Sequence, residues 1–307
     1  MSTYKTKPRY DIDKISAVKT LPDPERPFTF AELTIDGKTL RYCMSTPHSR
    51  WRVNTLFLKE PTTIEWLHSF QPNDVFVDIG ANVGIYTLYA GMIAGALVYA
   101  FEPESQNYGE LCRSILLNTA HHKIRAYCAA VSDKPMEISD LILSDPMKTG
   151  SSFNDFAVPS HDYAASSRFT QGCIAVSLDH LIEIKAIPVP KHVKIDVDGH
   201  ENKVIAGMKN ALQRHEMRTL LLECDPKTPS CYDIVKQLLA GGWVYNVDQV
   251  RLSRHGIESK EGAEQAIVEK RFAGNIIFAR DASDLLFGTK TLERFSATEL
   301  DAMKVAE

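Results

Sequence analysis

The chain has 307 residues and a formal net charge of −4, and 44% of its residues are hydrophobic. This length can bury the core of one large domain with appendages, and the composition is ordinary for a soluble globular protein. The lack of a basic excess argues against wholesale binding of duplex nucleic acid.

The cysteines and the first residues indicate a reducing, cytoplasmic location. The 6 cysteines are scattered along the chain and form no C-x-x-C pair. This spacing is typical of reduced thiols and favours neither a disulfide framework nor a zinc site. The chain starts with MSTYKTKPRY, which contains no apolar stretch, so we expect no signal peptide.

Residues 1–58 are predicted to form an arm and a β-hairpin. Residues 1–27 are polar and contain prolines, which favours an arm. The segment FTFAELTIDGKTLRYCM then alternates apolar and polar residues on both sides of Asp36 and Gly37. That dipeptide favours a two-residue type I′ turn, so the sequence predicts a hairpin at this point.

Residues 59–282 alternate predicted helices with predicted strands and form the main domain. Helices are expected at residues 62–70, 85–92, 106–118, 200–212 and 230–240. Strands are expected at residues 75–80, 97–101, 123–133, 192–199, 219–226, 242–248 and 273–280. This alternation predicts an α/β fold with a mostly parallel, doubly wound sheet. Residues 134–176, which are rich in serine, proline and aspartate, are expected to be irregular, and the polar tail at 283–307 is helical in composition.

Residues 79–101 carry no charge and are long enough to span a bilayer, since a membrane helix needs about 20 apolar residues. They also contain two G-x-x-x-G spacings, Gly80 with Gly84 and Gly91 with Gly95, a pattern of packed membrane helices. The glycines and the modest apolarity at both ends favour instead a helix, a turn and a strand inside a buried α/β core. We therefore expect no membrane span.

A glycine turn follows the first strand of the main domain, in the segment VFVDIGANVG. Gly80 and Gly84 predict a tight turn into a helix, at the edge of an open α/β sheet where ligands bind. A pyrophosphate site requires G-x-G-x-x-G, whereas Asn82 stands at the middle glycine and Asp78 would repel a phosphate. Glu102, at the end of the next strand, can accept hydrogen bonds from two ribose hydroxyls. The pattern favours a cationic ligand with a ribose and no phosphate, such as S-adenosylmethionine.

A group of polar side chains follows the strand that begins HVKID. Asp196, Asp198 and His200 alternate, so they share a face for as long as the strand lasts. Asp198 and Glu201 are three residues apart and are predicted to form a capping box for the next helix. A divalent metal on Asp196, Asp198 and His200 is an alternative, but we expect no metal, because such side chains commonly occur together without one.

Five motifs, in this order, resemble the FkbM-type methyltransferases: V-F-V-D-I-G-A-N-V-G, F-E-P, A-V-S-D, S-L-D-H-L and K-I-D-V-D-G-H-E. The resemblance covers roughly residues 55–280. It implies a class I methyltransferase fold, S-adenosylmethionine as the cofactor, and methylation of a hydroxyl, often on a sugar or a polyketide-like small molecule. The family usually has Glu where this chain has Asp198, and the shorter side chain keeps the charge but loses reach.

The resemblance also implies roles for single residues. It places Asp78, Gly80, Asn82 and Gly84 in the cofactor loop, Glu102 at the ribose, and Ser132 and Asp133 near the adenine.

Methylation of a hydroxyl needs a base that takes the hydroxyl proton. Asp196 is the first candidate for this base and His200 the second, since both follow the same strand. Asp198 and the segment with Ser151, Ser152 and Arg168 are expected to contact the substrate.

Two other functions are compatible with the same patterns. One is an NAD-linked oxidoreductase on a similar fold, against which Asn82 and Asp78 argue. The other is a non-catalytic module that keeps a cofactor pocket and binds partners through the hairpin and the tail; Asp196 and His200 would then lie far from the pocket. For the enzyme, a small-molecule or glycan acceptor is expected, and a homo-oligomer is compatible with the sequence.

Overall fold

The computed structural model describes residues 6–7, 12–20, 29–145, 149–150, 154–157, 169–224, 230–246, 249, 274–285 and 293–294. Its strands are, in chain order, β1 (Thr6–Lys7), β2 (Ile12–Thr20), β3 (Thr29–Ile35), β4 (Lys38–Cys43), β5 (Val75–Ile79), β6 (Leu97–Phe101), β7 (Ile124–Tyr127), β8 (Ala130–Val131), β9 (Met136–Ile142), β10 (Asp155–Phe156), β11 (Thr170–Val176), β12 (His192–Ile195), β13 (Thr219–Cys224), β14 (Val244–Tyr245), β15 (Gly274–Ala279) and β16 (Glu293–Arg294). Its α-helices are α1 (Pro47–Asn54), α2 (Leu56–Lys59), α3 (Pro61–His68), α4 (Ile85–Leu88), α5 (Ser105–Leu117), α6 (Leu178–Glu183), α7 (Glu201–Ala206) and α8 (Ser230–Ala240).

The central sheet has the strand order β14-β15-β13-β12-β5-β6-β7. The strands from β13 to β7 pair in parallel, whereas β15 runs antiparallel to both of its neighbours. Both faces are buried, because side chains alternate along a strand: Phe76 and Val98 lie in one core cluster, and Val77 and Ile195 in the other. The predicted α/β, doubly wound and mostly parallel sheet is confirmed, and it agrees with the class I methyltransferase fold that the resemblance implied.

A separate antiparallel sheet contains β2, β3 and β4. The predicted hairpin is confirmed: Asp36 and Gly37, which join β3 to β4, have φ angles of 49° and 71°, as a type I′ turn requires. The arm predicted for residues 1–27 is not wholly irregular, because it contains β2. Tyr42 Oη donates a hydrogen bond to Ile85 O (2.8 Å), which fixes this sheet to the start of α4.

Strands β8, β9, β10 and β11 form a four-stranded sheet, called here the small sheet. The expectation that residues 134–176 are irregular is therefore wrong for the described part of that range. Met136 and Ile138 alternate with polar neighbours and have the period of a strand, which the serine and proline content of the region obscured. The single strand predicted at 123–133 divides in two, with β7 in the central sheet and β8 in the small sheet.

The uncharged residues 79–101 divide into the end of β5, a turn, α4 with a π-helical extension (Tyr89–Ala94), and β6. Among the residues that the structure describes, no helix combines the length and apolarity needed to cross a bilayer. The helix predicted at 200–212 is shorter, since α7 ends at Ala206. Most of the predicted helical tail lies outside the described residues.

Candidate active site

The turn between β5 and α4 uses its own backbone donors internally. The amides of Gly80 and Ala81 both donate to Phe101 O (3.0 Å), and the amide of Gly84 donates to Ala81 O (2.9 Å). Gly80 has a φ of 79°, and a Cβ at this position would overlap the carbonyl oxygen of Asp196. The turn after β5 therefore lies in direct backbone contact with the turn after β12, and only glycine leaves room for that contact.

Glu102 ties the same turn to the end of β6. Its Oε2 accepts a hydrogen bond from the amide of Asn82 (2.7 Å), and its Oε1 accepts one from the amide of Glu104 (2.9 Å). The remaining amide of the turn, that of Val83, donates to Asn82 Oδ1 (2.9 Å). Burial raises the pKa of Glu102 to about 7. The Asn107 side chain also donates to this carboxylate. Because a carboxylate has about four lone-pair sites, Glu102 has room for one further donor, such as a hydroxyl group.

A pocket of about 430 Å³, part of it open to solvent, lies between the carboxyl edge of the central sheet and the small sheet. Its lining is mostly apolar and includes three of the residues predicted for the site, Gly80, Ser132 and His200. The lining residues are Ile79, Gly80, Phe101, Pro103, Ala129, Ala130, Val131, Ser132, Leu141, Asn154, Phe156, Val197 and His200.

Asp133 and Asp78 do not line this pocket. Asp133 is exposed and accepts a hydrogen bond from Ser132 Oγ (3.1 Å). Asp78 is 1% exposed and lies beneath the turn, where its Oδ2 accepts from Thr87 Oγ1 (2.5 Å). Its Oδ1 has no hydrogen-bond partner and is 3.5 Å from Lys194 Nζ. Burial raises the pKa of Asp78, although Lys194 opposes this shift.

A buried lysine links Asp78 to Asp196. Lys194 lies on β12 beside Asp78 on β5, and its Nζ is 2.9 Å from Asp196 Oδ2. Its ammonium also lies over the ring of Tyr86, 5.6 Å from the ring centre. Burial lowers the pKa of Lys194, but the carboxylates of Asp196 and Asp78 outweigh burial and raise it above the usual value. Lys194 therefore stays charged and favours a charged Asp196.

Glu223 was not predicted from the sequence and joins the same group. Asp196, Asp198 and Glu223 each place one carboxylate oxygen within 4.8 Å of the others. Strand pairing explains this proximity: Ile195 of β12 is paired with Leu222 of β13, so the next residue of each strand lies side by side. The metal alternative included His200, which is not in this cluster. The sequence does contain one signal for this position: Glu223 is an acidic residue in TLLLEC, the predicted strand that follows the strand of Asp196.

The capping box predicted for Asp198 and Glu201 is wrong. Helix α7 begins at Glu201, and the residue before it is His200, which makes no side-chain cap. Asp198 has a φ of 51° and Gly199 a φ of 114°, so the chain makes a left-handed turn before the helix starts. Asp198 therefore lies two residues before the N-cap position, and Glu201 Oε1 accepts from the amide of Gly199 (3.1 Å).

His200 connects the central sheet to the small sheet. Its Nε2 accepts a hydrogen bond from the amide of Phe156 (3.3 Å) and is 3.4 Å from the buried carboxyl of Asp155. His200 and Val197, the residue after Asp196, line the pocket, whereas Asp196 itself does not. The predicted substrate contacts Ser151, Ser152 and Arg168 lie outside the described residues.

Glu60, which joins α2 to α3, lies near the carboxylate cluster of Asp196, Asp198 and Glu223. Lys59 Nζ is 2.7 Å from Glu60 Oε1, and Asn275 Nδ2 donates to Glu60 Oε2 (2.6 Å). Because Asn275 is paired with Glu223 across β13 and β15, Glu60 lies over the end of β13.

The family model described as "Methyltransferase FkbM domain" matches residues 78–245. Hexuronic acid methyltransferase AglP of Haloferax volcanii is 27% identical over 187 residues, which are 58% of this chain and 68% of that protein. Two solved structures share a remote likeness. Precorrin-6y C5,15-methyltransferase from Geobacter metallireducens is 14% identical with a TM-score of 0.37, over 66% of this chain and 74% of that one. TrmK of M. capricolum with S-adenosyl-homocysteine is 8% identical with a TM-score of 0.35, over 60% of this chain and 58% of that one. TM-scores this low carry no argument about function.

Proposed function

This chain belongs to the FkbM methyltransferase family, and we propose that it transfers a methyl group from S-adenosylmethionine to a hydroxyl of a sugar. The observation that carries the proposal is the backbone contact between Gly80 and Asp196. Because of this contact, the pocket beside Glu102 and the charged carboxylate of Asp196 lie at the same edge of the central sheet. A methyl donor and an acceptor oxygen must meet within about 3–3.5 Å, which requires such proximity of their two sites.

The described residues fit S-adenosylmethionine, which supplies a methyl group on a cationic sulfur. Glu102 can accept from the ribose hydroxyls, and Phe101, Pro103 and Ser132 offer a largely apolar wall for the adenine. The buried Asp78 adds negative charge beneath the turn, which favours a cationic ligand.

NAD fits the same turn poorly. The amides of residues 80–84 all donate within the protein, to Phe101 O, Glu102 Oε2, Asn82 Oδ1 and Ala81 O. A pyrophosphate bound here would find none of the backbone donors on which dinucleotide sites depend. The oxidoreductase alternative therefore has no supporting feature in this turn.

Asp196 is the base of the proposed reaction. Its side chain is 22% exposed, so it can meet an acceptor, and Lys194 keeps it in the charged form that accepts a proton, although the same ammonium lowers its pKa and therefore its basicity. His200 lines the pocket but is held by the small sheet, which favours a positioning role over proton transfer. The similarity to hexuronic acid methyltransferase AglP supports a sugar acceptor.

The test uses S-adenosylmethionine with an isotope-labelled methyl group and a panel of sugar glycosides. The panel pairs each uronic acid glycoside with the neutral sugar of the same configuration. We expect label on a glycoside, retained after mild alkali, because a methyl ether survives treatment that hydrolyses a methyl ester. Label that is released by alkali would show transfer to a carboxyl group and would overturn the hydroxyl assignment. NAD binding in calorimetry with no response to S-adenosylmethionine would overturn the cofactor assignment.

A further inference from the structure

We propose that Gln171, on β11 of the small sheet, positions the cofactor site by holding the turn that follows Glu102. The inference rests on the proposed function for the identity of the cofactor, but it can be tested without an acceptor. It makes Gln171 a positioning residue, because it acts on the cofactor through Glu102 and Pro103.

The side chain of Gln171 makes two hydrogen bonds to one backbone turn. Its Nε2 donates to Pro103 O (2.6 Å), and its Oε1 accepts from the amide of Ser105 (3.1 Å). These groups belong to residues 103–105, called here the β6–α5 turn. A primary amide offers both a donor and an acceptor, so glutamine matches the two groups, whereas a carboxylate or an apolar side chain does not.

The β6–α5 turn carries two of the proposed cofactor contacts. The amide between the two groups that Gln171 holds, that of Glu104, donates to Glu102 Oε1 (2.9 Å). Pro103 lines the pocket. The direction of the Glu102 carboxylate and the position of the apolar wall therefore both depend on this turn, and a displacement of about 1 Å is enough to weaken a binding site.

Gln171 also completes the hydrogen bonding at the start of α5. Glu104 caps this helix, because its carboxylate accepts from the amides of Gln106 (2.9 Å) and Asn107 (2.7 Å). The amide of Ser105, an exposed residue, donates to Gln171 instead. The first amides of α5 are thus shared between a local side chain and one from a different sheet.

The pairing of β11 explains how Gln171 reaches the turn. Gln171 is paired with Leu141 of β9, and residues that lie opposite each other in antiparallel strands point to the same face. Leu141 lines the pocket, so Gln171 belongs to the face of the small sheet that borders the pocket. Ile138 and Ile174 are exposed on the other face.

A purely structural role, in which Gln171 attaches the small sheet to the rest of the chain, is the competing explanation. The small sheet has other attachments, however. The amide of Phe156 donates to His200 Nε2 (3.3 Å), and Gly207, after α7, lies so close to Ser132 O that a Cβ there would overlap it. Loss of Gln171 should therefore leave the fold intact and act mainly on the turn.

The neutrality of Gln171 also matters, because two buried carboxyl groups, Glu102 and Glu104, already lie at the turn. Burial is the main cause that raises the pKa of Glu102 to about 7, and the negative charge of Glu104 adds to it. Gln171→Glu would bring a third carboxylate to the turn, so it should raise the pKa of Glu102 further.

The first measurement needs no ligand and follows amide hydrogen exchange by NMR. Gln171→Leu removes the acceptor, so the amide of Ser105 should exchange about fivefold faster or more, whereas Gln171→Glu keeps an acceptor and should stay near wild type. The amide of Asn107, which Glu104 holds, is the internal control and should be unchanged in both variants. Equal exchange at Ser105 in wild type and Gln171→Leu would overturn the inference.

The second measurement is calorimetry with S-adenosylmethionine at pH 6, 7 and 8. Gln171→Leu adds no charge, so it should lower affinity about fivefold or more at each pH. Gln171→Glu should lower affinity about tenfold or more at pH 7, and its affinity should begin to fall at a higher pH than that of wild type, because Glu102 then takes up its proton at a higher pH. Gln237→Glu adds the same charge at an exposed position of α8 and should match wild type.

Melting temperatures separate positioning from a structural role. Lower melting temperatures in both Gln171 variants, with the pH profile of Gln171→Glu unchanged, would overturn the inference, as would unchanged affinity in both. Failure of the proposed function gives different results. If wild type binds S-adenosylmethionine and responds to the Gln171 variants but methylates no sugar hydroxyl, the inference stands without that acceptor. If wild type binds no S-adenosylmethionine, both are overturned.

Discussion

The two halves of the candidate site are built in different ways. At the ends of β5 and β6, backbone amides and a single carboxylate, Glu102, hold one turn in a fixed shape. At the ends of β12 and β13, the arrangement depends on charged side chains, with Lys194 set between Asp78 and Asp196. The first half should therefore respond mainly to changes of shape, and the second mainly to changes of charge and pH.

Gly80→Ala should have the largest effect on stability, because it disrupts the backbone contact between the two halves of the site. A Cβ at Gly80 would overlap the backbone of Asp196, and the φ of 79° is itself unfavourable for alanine. We expect a loss of about 3 kcal/mol or more in the free energy of unfolding, measured by urea denaturation.

Gly37→Ala is the matched control for this variant. Gly37 has a similar φ of 71°, but a Cβ there would meet nothing within 4 Å. Gly37→Ala should therefore lower the free energy of unfolding only by the cost of backbone strain, about 1 kcal/mol. Equal losses in the free energy of unfolding at the two positions would show that the overlap of the added Cβ with Asp196 has no effect on stability.

Asp196→Asn tests the charged half and should lower turnover by roughly 10²-fold or more, because it removes the proposed base and keeps the shape. Cofactor affinity should change little, since the turn after β5 is intact. Asp198→Asn should lose less than about tenfold, because Asn tolerates the left-handed φ of 51° as well as Asp does. The measurements are turnover, cofactor affinity and melting temperature. Equal losses in turnover would indicate a shared role for both carboxylates, and full activity of Asp196→Asn would make His200 the next candidate.

Glu102→Gln tests the half of the site at the ends of β5 and β6 by removing the negative charge of its single carboxylate. Charged hydrogen bonds to ribose hydroxyls contribute about 1.5–3 kcal/mol each, so affinity for S-adenosylmethionine should fall by roughly tenfold or more. Glu102→Ala is a poorer test, because it would also leave the amides of Asn82 and Glu104 without their acceptor. Calorimetry measures the affinity, and Glu183→Gln, at a side chain that is 80% exposed, is the control. Unchanged affinity would show that Glu102 does not contact the cofactor.

The smallest effect expected is a pH dependence of cofactor binding. The pKa of Glu102 is about 7, so the unbound protein holds a proton there below that pH. Ribose hydroxyls bind best to the charged carboxylate, so binding releases the proton. Affinity should fall by up to about tenfold for each pH unit below 7. Calorimetry at pH 8, 7 and 6 measures this, and Glu102→Gln should give a flat profile. A flat profile in wild type would contradict the role of Glu102.

The same division explains what could be predicted from the sequence. The turn at Gly80, the hairpin at Asp36 and the helix–strand order depend on local spacing, which a sequence displays directly. The proximity of Asp196 and Glu223 depends on β12 lying beside β13 in a particular register, and no local pattern contains that information. The sequence displays the acidic residue Glu223 in TLLLEC, but it does not show that Asp196 lies beside it in the sheet.

Two errors arose where local patterns competed. The spacing of Asp198 and Glu201 matched a capping box, but Gly199 allowed a left-handed turn that moved the helix start to Glu201. In the small sheet, polar composition was given more weight than the alternation around Ile138, although alternation is what strand pairing requires.

The inward-facing donors of the turn after β5 bear on the choice of inhibitors. Adenosine analogues with a neutral or cationic 5′ substituent would keep the proposed contacts with Glu102 and the apolar wall. Adding a 5′-phosphate to such a compound would bury an anion without a backbone partner and above the carboxylate of Asp78. Compounds that carry a 5′-phosphate are therefore a poor starting point, and uncharged nucleosides are a better one.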